Sequence, residues 1–135
     1  MKFLLLFLLV LSGHIVFAAS SAPENAEVYI ISPGDRETVS NPVTIRFGLK
    51  NMGVAPAGIQ SENTGHHHLI IDAGIPALDK PIPNDDHHLH FGKGQTETTI
   101  NLVPGEHTLQ LILGDFSHVP HDPPLTSDKI TIIVE

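Results

Sequence analysis

The chain has 135 residues, no cysteine, and 15 acidic against 7 basic residues, giving a net charge of −8 with histidines neutral. That balance argues against nucleic acid and anionic membrane surfaces as partners. The missing cysteine excludes disulfides, thiolate metal ligands and cysteine nucleophiles, and leaves the ten histidines as the prominent chemistry.

Lys2 precedes an apolar run, Phe3 to Leu11, that ends in Val16-Phe17-Ala18-Ala19. One positive charge, a short apolar stretch and small residues at its end describe a secretory leader over residues 1–19, cut after Ala18 or Ala19. The run is shorter than the ~20 residues of a membrane-crossing helix. The remainder is expected to be exported, periplasmic or secreted, with no membrane span once the leader is gone. Residues 20–25 read as a linker, and 26–135 as a single domain of ordinary size.

Glu27 to Ile31 is the first expected strand, closed by the turn Ser32-Pro33-Gly34-Asp35. Val43 to Leu49 alternates, with Val43, Ile45, Phe47 and Leu49 on the inward face. Residues 51–64 contain too much glycine and proline for a helix, and deliver the chain into Gly65-His66-His67-His68-Leu69-Ile70-Ile71-Asp72. The Pro81 and Pro83 connection leads to a second histidine segment, Asp86-His87-His88-Leu89-His90-Phe91. Further strands are expected over 95–102, 107–113 and 129–134, with a loop at 114–128 carrying His118, Pro120 and His121. About seven short strands separated by Gly/Pro turns predict an all-β, immunoglobulin-like antiparallel β-sandwich.

Alternate residues of a strand share a face. His66 and His68 therefore project together, as do His88 and His90, while His67 and His87 fall on the apolar side, where they are expected to be packed and hydrogen-bonded. Metal binding by imidazole needs neutral ring nitrogens that converge about 2.0–2.1 Å from an ion. Two His-x-His strands paired edge to edge would bring four rings together. The candidate ligands are His66, His68, His88 and His90, followed by His118 and His121 in the Pro120 loop. Without thiolates, such a set suits copper(II) or zinc(II). His107, at the start of a core-facing run, reads as structural. No Gly-x-Ser-x-Gly elbow, phosphate loop or dinucleotide fingerprint is present, so no catalytic residue is assigned.

The segments Thr64 to Asp72, His88-Leu89-His90-Phe91-Gly92, Gln95-Thr96-Glu97, Pro104 to Leu111 and His118 to Pro124 together carry a resemblance. Over about residues 27–134 the chain resembles the bacterial family of short exported proteins called domain of unknown function four-three-nine-nine. The resemblance implies an exported single domain and brings no activity with it. Three functions follow from the residues themselves. The first is an exported protein that binds a divalent metal ion, for sequestration or delivery. The second is a metal-free cell-envelope interaction or adhesion module whose histidines form a structural hydrogen-bond network. The third is a copper-dependent oxidoreductase. Convergent ring nitrogens would separate the first from the second.

Overall fold

A computed structural model describes residues 18–135. The expected leader lies outside these residues except for Ala18 and Ala19. Nine strands form: β1 (Glu27–Ser32), β2 (Thr38–Val39), β3 (Val43–Lys50), β4 (Gly53–Val54), β5 (Thr64–Ile71), β6 (His88–His90), β7 (Glu97–Ile100), β8 (Gly105–Gly114) and β9 (Ile130–Val134). They make two sheets, one ordered β1-β3-β7 and one ordered β2-β9-β8-β5-β4, with β6 also on β5. The chain is an all-β sandwich. The longer strands pair antiparallel, and the two-residue strands β2 and β4 pair parallel with β9 and β5. No helix among the described residues is long and apolar enough to cross a membrane.

The alternation read from the sequence sets the inner layer. Val43, Ile45 and Phe47 of β3 meet Leu69 and Ile71 of β5, Leu109, Leu111 and Leu113 of β8, and Ile132 and Val134 of β9 in one buried cluster. Each such side chain removed from water contributes about 1.5–3 kcal/mol. The stretch 20–25 lies against the domain, because Ser21 bridges to Asp122 and Ala22 packs on the core.

β5 differs from an ordinary half-buried strand. Every residue from Gly65 to Ile71 is buried, so both of its faces are covered. One face meets the other sheet. The opposite face lies under four irregular segments linked by backbone hydrogen bonds. Ile82 N–H donates to the His118 carbonyl (2.8 Å), Ala57 N–H to Gly92 (2.9 Å) and Gly58 N–H to Phe116 (2.9 Å). Ile70, Ile82 and Ile112 form a second, small apolar cluster on this outer face. Beside it lie His66 and His68.

Candidate metal centre

His66 and His68 project from β5 onto the covered outer face, both fully buried. β6 pairs antiparallel with β5 and sets His90 directly opposite His68. The three histidines each offer a ring nitrogen, and these nitrogens lie within 4.8 Å of one another. His66 Nε2 and His68 Nε2 are 3.1 Å apart. Two nitrogens bound at about 2.05 Å and separated by that distance would subtend roughly 100° at an ion, between a square and a tetrahedral angle.

His118 brings a fourth ring. Four imidazoles held tetrahedrally on one ion have ring centroids roughly 5 Å apart. The separations are 4.9 Å for His66–His68, 5.0 Å for His66–His90 and 5.1 Å for His66–His118. His68–His90 is 5.0 Å and His90–His118 is 4.8 Å. Only His68–His118 is wider, at 6.2 Å. His66 and His68 form the floor, and the partly exposed His90 and His118 form the rim.

Two glycines keep the space clear. A Cβ on Gly114 would lie 2.9 Å from His68 Nε2, and one on Gly92 would run into the His90 ring. Neither position needs glycine for its backbone dihedrals, so what glycine supplies here is room for imidazole.

The electrostatics keep His66, His68 and His90 neutral. Burial lowers the His66 pKa to about 4, with help from His118 and His90, while Asp115 opposes the shift. Burial also lowers His68, to about 2, reinforced by His66, His90 and His118. His90 is lowered by burial and then by His118. Neutral imidazole is the form that ligates metal. The Nε2 atoms of His66 and His68 meet each other at hydrogen-bond distance, while His66 Nδ1, His68 Nδ1 and His90 Nε2 are buried with no hydrogen bond among the described residues. An unpaired buried polar atom costs about 1–3 kcal/mol. His66, His68 and His90 thus form a group that could hold a metal ion.

The other histidines have different employment. In the β5–β6 register His88 faces Ile70 instead of a second histidine. Its Nδ1 bonds the Asp85 carboxylate at 2.8 Å. The ring nitrogens of His121 face the carbonyls of Leu113 (3.4 Å) and Thr64 (3.1 Å), which ties the ends of β8 and β5. The structure therefore brings His66, His68, His90 and His118 together, and places His88 and His121 apart from them. His87 is exposed, with its Nδ1 2.8 Å from the Ile71 carbonyl, because β6 begins only after it. His107 bonds Asp72 Oδ2 at 2.6 Å and the Val103 carbonyl at 2.8 Å. Burial opposes its charge, but those partners outweigh burial and raise its pKa. His67 is packed inward as expected, 5.2 Å from the Phe47 ring, yet neither ring nitrogen makes a close hydrogen bond, and the Gly48 backbone offsets burial only weakly.

Asp115 was not visible as a site residue in the sequence. It is 1% exposed, and its Oδ1 accepts the N–H groups of Ser117 (2.8 Å) and Val119 (3.1 Å), on either side of His118. His118 itself sits at φ 68°, a left-handed conformation that a non-glycine residue holds only when its surroundings fix it. The signal available was a Gly-Asp step directly after a strand, where an aspartate caps a turn through its own side chain.

Residues 45–135 match the family described as Domain of unknown function (DUF4399). The chain belongs to that family. All four clustered histidines, Gly92, Gly114 and Asp115 fall inside the DUF4399 match, whereas β1 and Ser20 precede it. Neither a curated protein nor a solved structure matches the chain.

Proposed function

We propose that this DUF4399 protein is an exported binder of a divalent transition metal, copper(II) or zinc(II), serving sequestration or delivery. His66, His68 and His90 are the ligands, and His118 completes the set from the rim. One observation carries the reading: three buried or half-buried imidazoles bring ring nitrogens within 4.8 Å of one another, burial holds them neutral, and each ring keeps one nitrogen without a partner. A structural network would look like His107, His88 or His121, whose ring nitrogens meet carboxylates or carbonyls. His66, His68 and His90 meet no carboxylate or carbonyl, only the ring contact between His66 and His68, which argues against the interaction-module reading for these three residues. An all-imidazole set without thiolate suits either ion.

The test is elemental analysis of the tag-free, leader-free protein as isolated, followed by calorimetric titration with Cu²⁺ and with Zn²⁺. Binding of one equivalent tighter than about micromolar, about −8 kcal/mol, is expected. Weaker or non-stoichiometric binding of both ions would sink the proposal.

A further inference from the structure

Ser20 stands at the junction between the leader-like segment and the domain, and 95 positions separate it from Asp115 in sequence. Its hydroxyl nevertheless donates to Asp115 Oδ2 at 2.8 Å, and its backbone N–H reaches the same oxygen at 3.3 Å. The Ser20 carbonyl accepts the Asp122 N–H at 3.0 Å, so the residue is fixed at both ends of the 115–122 loop. The other carboxylate oxygen, Oδ1, holds the two N–H groups that bracket His118. One buried carboxylate thus joins the start of the domain to the rim histidine. No lysine or arginine among the described residues pairs with Asp115. A buried carboxylate in that position depends on its hydrogen-bond donors to stay where it is.

We propose that Ser20 is a positioning residue for the metal centre: it orients Asp115, and Asp115 holds the left-handed turn that aims His118 at His66 and His90. The inference rests on the metal-binding reading for its consequence, but the coupling itself belongs to the metal-free protein. If the leader is cut after Ala18 or Ala19, Ser20 becomes the second or first residue of the mature chain. The amino terminus left by export would then be a working part of the site instead of a loose end.

The experiment uses the leader-free protein with Ser20→Ala, Ser20→Thr, Asp115→Asn and the Ser20→Ala/Asp115→Asn pair. In metal-free protein, imidazole ¹H–¹⁵N spectra should show His118 shifted or broadened by Ser20→Ala and restored by Ser20→Thr. The His107 signals, from the opposite end of β8 and bound to Asp72, should stay put. Titration with Cu²⁺ should show Ser20→Ala weakening affinity by about tenfold, and the double variant should be no worse than Asp115→Asn alone. An unchanged His118 in Ser20→Ala, failure of Ser20→Thr to restore it, or losses that add independently would each overturn the proposal. If the native protein bound neither Cu²⁺ nor Zn²⁺ while His118 still responded to Ser20, the metal reading would fall and the positioning link would survive as a structural one.

Discussion

The two faces of β5 carry the same residue type in opposite circumstances. His67 points between the sheets against Phe47, on the face away from the other imidazoles, with neither ring nitrogen closely hydrogen-bonded. His66 and His68 point the other way, into a pocket of four rings cleared by Gly92 and Gly114. All three are fully buried, and burial lowers all three pKa values, to about 4 for His66 and His67 and about 2 for His68. Burial and neutrality alone therefore do not single out a candidate ligand. Convergence does, and it arises because β6 and the 115–119 loop deliver their own histidines to one face only.

Acid should produce the largest effect, and it should not discriminate between the faces. Between pH 6.5 and about 4 the unfolded chain binds protons on these three histidines that the folded chain refuses. The unfolded state then holds more protons, so stability rises with pH and is lost as pH falls, by up to about 1.4 kcal/mol per unit for each histidine. His107 acts in the opposite sense, since its pKa is raised: its contribution is present below pH 6.5 and fades as pH climbs through the raised value. Urea midpoints of metal-free protein from pH 4.5 to 8 should show a steep acid limb, and a flat profile would contradict the buried neutral rings.

Substitution separates the faces. His68→Ala should weaken Cu²⁺ or Zn²⁺ binding by about 100-fold or more, near 3 kcal/mol, by calorimetry. His67→Leu should leave affinity unchanged and stabilise the protein by about 1–3 kcal/mol in urea, because it removes two unsatisfied nitrogens at similar volume. If His67→Leu abolished binding, the contrast would fail. Gly114→Ala should sharpen it: the new methyl group presses on His68 Nε2, so affinity should drop about tenfold while the circular dichroism of the sandwich persists. The smallest effect belongs to His88→Ala, which touches the exposed Asp85 and should leave metal affinity within about a factor of two.

Much of this was legible from period and punctuation. The inward alternation of β3 and β8 and the shared face of His66 and His68 follow from a period of two. The edge-to-edge pairing of the two His-rich strands was only a possibility in the sequence and is seen in the β5–β6 ladder. Register was not legible, since it is set by where β6 starts and how the 73–87 connection spans. The pairing places His68 opposite His90 and leaves His88 opposite Ile70, so the fourth ring is supplied by His118 from a distant loop. The same gap hid Ser20, Asp115, Gly92 and Gly114. Each matters through a neighbour remote in sequence, which no local pattern encodes.

β6 is three residues long and β4 two, and together they border the outer side of the eight-residue β5; the two-residue β2 borders the far side of the same sheet. Strand fragments this brief offer little template for another chain to add to, so the larger sheet ends in blunt rims. One of those rims is also His90. An ion gripping His66, His68 and His90 would rivet the guard strand to the strand it guards, making resistance to self-association and occupancy of the site two readings of one bolt.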